Sequence, residues 1–141
     1  MSMRVRVLPS PEHLDDVAAT RWKMLHELHN DYFLFPGREF TVYGLRFADN
    51  DVWFLLHNPT GYLQEVSSIF FDVVDRRVSG HWVFRSEGLG ARLFPPDLMD
   101  DPYFIDALGD LEPSYVHKWA TLQKMLDGEA LSAVPFLPEE P

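Results

Sequence analysis

The chain has 141 residues and no cysteine, which is the length of one domain and excludes disulfides, thiolate metal sites and a thiol nucleophile. Apolar residues make up 46% and aromatics 14%, enough for a core and too many for a chain disordered throughout. The net charge of −10 is unevenly placed: residues 1–92 carry 12 acids and 10 bases, whereas residues 93–141 carry 10 acids against only Lys118 and Lys124, so the basic footprint of a nucleic-acid binder is missing.

The opening Met1-Ser2-Met3-Arg4 lacks the apolar stretch of a secretory signal. No apolar run reaches the roughly 20 residues that span a bilayer, so a cytoplasmic protein with no membrane partner is expected. Residues 3–8 read as a short strand or extended arm. Ser10-Pro11-Glu12-His13 reads as a helix start, with Ser10 as cap, Pro11 in the first turn, and Glu12, Asp15 and Asp16 at the positive end of the dipole. The spacing predicts a helix to about Asn30. Leu14, Val17, Ala18, Leu25 and Leu28 share one face, with Trp22 and Met24 at its margins. Pro36-Gly37 then breaks the chain.

The middle third predicts an antiparallel meander. Its strands are Glu39–Phe47, with Gly44 as a candidate bulge, Val52–His57, a long Tyr62–Val74 bent near Ser67-Ser68, and Val78–Arg85. The intervening turns are Asp49-Asn50-Asp51, Asn58-Pro59-Thr60-Gly61 and Asp75-Arg76-Arg77. In the long strand Leu63, Ile69, Phe71 and Val73 alternate with Tyr62, Val66, Phe70 and Val74, so neither face is polar and both are expected to be covered. Gly88-Leu89-Gly90 and Pro95-Pro96 read as loop, and Asp97–Leu108 as short helical turns. A last helix opens at Glu112-Pro113 and is expected to stop at Gly128, with Tyr115, Trp119, Leu122 and Leu126 on its apolar face. The expected fold is α+β: an N-terminal helix, a roughly four-stranded antiparallel sheet and C-terminal helices. Residues 1–128 form one domain in this reading, and residues 129–141, rich in proline and glutamate, form a tail.

His26 and His29 stand three apart on the predicted helix, close enough to share an ion, with Asp31 as the nearest third donor. The pattern is not that of a zinc helix, and two histidines near a helix C-terminus have an ordinary electrostatic reason to be there. No zinc or calcium site and no cofactor are expected. Arg21 falls on the apolar helix face and needs a carboxylate, water or an anion. Glu65 and Asp72 are its expected mates. Arg21, His57, His81 and Arg85 are the candidate polar groups of a pocket between helix and sheet.

The stretch from Asp97 to Glu112 holds six acids and no base. Asp97, Asp100, Asp101, Asp106, Asp110 and Glu112 form the candidate docking surface. The spacing of a calcium loop is absent from it, as are nucleophile elbows and phosphate or dinucleotide loops from the whole chain. The leading functional expectation is a non-catalytic acidic protein that docks a basic protein partner, most concretely an immunity- or inhibitor-type protein; in size, charge and layout the chain resembles small binding proteins such as immunity proteins and secretion chaperones. The alternatives are a small-molecule-binding protein or enzyme using the helix–sheet pocket, and a structural homo-oligomer such as a dimer that buries a sheet face.

Overall fold

The computed structural model describes residues 3–29 and 34–132. The fold is α+β, with an N-terminal helix, two antiparallel sheets and C-terminal helices. The elements run β1 (Arg4–Val7), α1 (Asp16–His29), β2 (Glu39–Thr41), β3 (Gly44–Ala48), β4 (Asp51–His57) and β5 (Leu63–Ser67). A 3-10 turn (Ser68–Phe70) comes next, then β6 (Phe71–Asp75), β7 (Val83–Glu87), β8 (Gly90–Phe94), α2 (Pro96–Met99), α3 (Phe104–Gly109) and α4 (Pro113–Ser132). One sheet has the order β2-β1-β6 and the other β5-β4-β3-β8-β7.

The two longest predicted strands are each divided between the sheets. After β2 the backbone bonds to Met3 through the Val42 N–H and to Leu55 through the Tyr43 N–H (2.8 and 2.9 Å), so residues 42–43 carry the chain from the small sheet to the large one. The long third strand changes sheets at Ser68–Phe70, which overlaps the expected bend at Ser67-Ser68. This 3-10 turn is capped by the Ser67 hydroxyl, which accepts from the Ile69 N–H. It also resets the period of two, so that neighbours Phe70 and Phe71 are both buried.

Both faces of the five-stranded sheet are covered. On one, Leu45, Phe54, Leu56 and Val66 meet Val5, Val7, Phe40 and Phe71 of the small sheet and Leu25 of α1. In the small sheet β1 alternates as a half-buried strand should, whereas β6 buries Phe71 and exposes Asp72, Val73 and Val74. Val5 and Val7 point in, while Arg4 and Arg6 bind Glu39 on the outer face (3.0 and 3.1 Å). On the other face, Leu55, Leu63 and Phe94 pack on Leu98, Phe104, Leu108, Trp119, Leu122 and Leu126 of the C-terminal helices.

Four element boundaries differ from expectation, one being the last predicted strand, which runs Val83–Glu87 rather than Val78–Arg85. The first helix begins at Asp16, not Ser10, because Asp15 is the better cap: its carboxylate accepts from the Ala18 N–H (2.8 Å), while Pro11 to Leu14 forms a separate turn. Val17 is consequently 81% exposed, and Leu25 carries the buried face. The Gly88-Leu89-Gly90 segment is a hairpin tip rather than a loop, and it leads into β8, an interior strand of the large sheet. Gly88 has φ of +58°, which suits the first position of a two-residue turn. A Cβ on Gly90 would strike the Phe47 carbonyl. The last helix runs through Gly128 to Ser132. The Tyr32-Phe33 segment, Asp31 and residues 133–141 lie outside the described residues.

Candidate docking surface

The four polar residues expected to share a pocket have four separate surroundings. Arg21 projects from α1 to Asp51, whose Oδ2 accepts from it at 2.8 Å. Its mate is therefore neither Glu65, which Arg46 holds at 2.8 Å, nor Asp72, which is exposed. Asp51 is the better anchor because its side chain is only 9% exposed and already collects the Ser67 and Ser68 hydroxyls (2.6 and 3.1 Å) and the Val52 N–H (2.7 Å). A shallow depression of about 310 Å³ opens beside this group, between α1 and the 3-10 turn. With both oxygens of Asp51 engaged by donors, the cluster fastens α1 to the β3–β4 hairpin.

His57 lies on the opposite face, under α4. Its ring is 5.2 Å from the Trp119 ring, and its Nδ1 is 3.4 Å from Gln123 Nε2. Gln123 also donates to the Tyr43 hydroxyl, which sits 3.2 Å from Asp127 Oδ1. Burial lowers the His57 pKa below its usual value and pushes the Tyr43 phenol up to about 12, with the nearby Asp127 charge adding to the latter. A neutral imidazole and a neutral phenol are what a helix–sheet contact of this kind requires. Arg85 lies elsewhere again, on β7, donating to the Met99 carbonyl at 3.3 Å and facing Asp100 at 3.4 Å. His81 sits exposed in the turn before β7. No common cleft gathers these four side chains.

His26 stacks on Trp22 at 4.6 Å, and the side chains of His29 and Asp31 lie outside the described residues. Among the described residues no three His, Asp or Glu side chains form a metal-binding group, and no helix is long and apolar enough to cross a membrane.

The acidic stretch has a more definite geometry. It is carried by α2, α3 and the α3–α4 turn, and α3 touches both of the other helices. Asp97, Asp100, Asp106, Asp110 and Glu112 are exposed. Asp100 is shared with Arg85, and the other four make no ion pair among the described residues. Asp101 differs from its neighbours. It is half-buried, accepts from the Tyr103 N–H at 3.0 Å and from the Tyr115 hydroxyl at 2.8 Å, and so pins α4 to the loop before α3. That hydrogen bond raises the Tyr115 pKa.

Apolar groups stand among these acids. Tyr62 is 50% exposed, Leu111 67% and Tyr103 71%. A groove of about 460 Å³ is lined by Tyr62, Leu63, Ile105, Asp106, Gly109 and Asp110. Leu111 occupies the left-handed region, with φ of +58°. It ends α3 at the position where a glycine ordinarily closes a helix: the Glu112 N–H bonds back to the Ala107 carbonyl and the Leu111 N–H to that of Leu108. Charge counting along the sequence finds the acids and misses these apolar neighbours. The signal for them is a tyrosine and a leucine standing inside an acid run of short helices. No family model, curated protein or solved structure matches this chain.

Proposed function

We propose that the protein is a non-catalytic binding protein whose acidic surface on α2, α3 and the α3–α4 turn docks a basic protein partner, most concretely as an inhibitor- or immunity-type protein. One observation carries this reading. Four exposed carboxylates, Asp97, Asp106, Asp110 and Glu112, make no ion pair among the described residues; Asp106 and Asp110 share a groove with exposed Tyr62, and the same acidic segment carries exposed Tyr103 and Leu111. Unpaired acids at a rim steer a basic partner to the surface and reject acidic ones. Tyrosine is the residue type that fills a partner's pocket at low conformational cost, and a few such anchors dominate binding energy. The polar groups expected of an enzyme pocket are dispersed and lend that alternative no support.

The test is a comparative capture from a lysate of the source organism. Immobilised wild-type chain should retain a basic protein at low salt. A chain with Asp97→Asn, Asp106→Asn and Asp110→Asn together should retain much less of it, as should Tyr103→Ala, while both variants keep the wild-type circular dichroism spectrum. Equal retention by all three would overturn the proposal.

A further inference from the structure

β7 closes the five-stranded sheet at one side, and all five of its residues, Val83 to Glu87, are exposed. Sheet edges are ordinarily blunted by charge, proline, brevity or a cover. The edge strand β2 is only three residues long, and its Glu39 is tied to Arg4 and Arg6. β6 presents Asp72 and Asp75, the latter paired with Arg77. β5 has Leu25 of α1 and Phe70 beside it. β7 carries two charges, Arg85 and Glu87, held within the chain by Asp100 and Arg92 (3.4 and 2.9 Å), but it is five residues long, has no proline, and carries Phe84 at 67% exposure.

The hydrogen-bonding phase of this edge is set by its turn. Gly88 and Leu89 form a two-residue loop between the paired residues Glu87 and Gly90, which makes that closing pair a hydrogen-bonded one. Alternation then makes Arg85–Arg92 and Val83–Phe94 bonded pairs as well. Phe84 and Ser86 are left with N–H and C=O groups directed outward, and no other described segment takes them up.

We propose that β7 is a self-association edge, where two copies of this chain pair β7 with β7 antiparallel about Ser86 and join their five-stranded sheets into one. The register is chosen by charge. Arg85 lies directly across from Arg92 on β8, a like-charge pair in which Glu87 already holds Arg92 at 2.9 Å and can be shared with a second arginine. The nearest carboxylate on its own chain is Asp100, at 3.4 Å and itself 71% exposed. Pairing about Ser86 sets Arg85 of each copy opposite Glu87 of the other, twice by symmetry. It also places Ser86, whose outward backbone groups are untaken, against Ser86, and Phe84 against the turn residue Gly88. Pairing about Arg85 would oppose two arginines. Pairing about Phe84 would set Arg85 against Val83 and leave both charges unmatched. A two-fold edge contact is self-complementary only in the first case.

Sedimentation equilibrium of the full chain from micromolar to millimolar concentration tests this. The wild type should dimerise reversibly. Ser86→Pro should be monomeric with its circular dichroism unchanged, since the Ser86 N–H takes no part in the β7–β8 ladder. Arg85→Glu and Glu87→Arg should each weaken dimerisation about tenfold or more, and the two together should restore it. A wild type that stays monomeric throughout, or a dimer that survives Ser86→Pro, would overturn the proposal. So would a double variant no stronger than either single one, whatever happens to the folding of the proline variant. The acidic surface plays no part in this contact, so loss of partner capture and loss of dimerisation are read separately.

Discussion

Asp51 and Leu111 show how differently single residues are used. Asp51 accepts four hydrogen bonds around one nearly buried carboxylate, and one of its donors is Ser67, itself 1% exposed. Asp51→Ala strands that hydroxyl and the Val52 N–H and should cost about 2–4 kcal/mol. Arg21→Met removes only the solvent-reaching partner, whose side chain is 33% exposed, and should cost about 1 kcal/mol. Urea unfolding of the two variants checks the asymmetry, and equal costs would show that the ion pair rather than the hydroxyl network holds the contact. That Arg21 needs an acid was legible in the sequence. Which acid was not, because Asp51 is 30 residues away at the start of β4, and only the placement of α1 selects it. Leu111 is the opposite case: its left-handed backbone disfavours a side chain by about 1–2 kcal/mol, and its exposure returns little of that. Leu111→Gly should raise stability by about 1 kcal/mol in the same assay while weakening partner capture, and a loss of stability would show that the leucine is needed by the fold.

At the level of elements, the contact of α4 with the sheet makes stability depend on pH in both directions. His57 titrates in the unfolded chain at the usual 6.5 but lower in the fold, because burial disfavours the charged ring. The unfolded state therefore takes up protons first as pH falls, and stability is lost from 6.5 downward. Tyr43 behaves inversely: its phenol rises from 10 to about 12 through burial, so its contribution is present below 10 and is lost as pH climbs towards 12. Urea midpoints should fall between about pH 7.5 and about pH 5.5, and His57→Gln should flatten that decline; Tyr43→Phe should flatten the alkaline one. An unchanged acid slope in His57→Gln would place the effect elsewhere. The apolar face of α4 was readable from Tyr115, Trp119, Leu122 and Leu126, because a helix repeats its burial over many turns. Strand β8 was not readable, because glycines that usually mark loops here serve a tight turn at Gly88 and a close backbone approach at Gly90. The division of the long strands was half legible. Ser67-Ser68 marked a bend, but only tertiary packing turns a bend into a change of sheet.

For the whole molecule, the fold separates its surfaces. The five-stranded sheet is sandwiched between two cores. The acids accumulate on the helices of the second core, while β7 stays bare at the sheet's edge. The fold class and the acidic stretch were visible beforehand because both are matters of pattern and count. The dispersal of Arg21, His57, His81 and Arg85 was not, since adjacency across a sheet depends on a strand order in which β8 lies between β3 and β7. The central claim is that the acidic surface recruits a basic partner by charge. Its most direct measurement is the association rate of the captured partner with wild type and with the Asp97→Asn, Asp106→Asn, Asp110→Asn chain, over salt that shortens the Debye length from about 10 Å to about 3 Å. Recruitment by charge predicts a wild-type on-rate that falls steeply with salt, a variant on-rate that is slow and nearly flat, and off-rates that differ little. A salt-insensitive on-rate, equal for the two proteins, would contradict it.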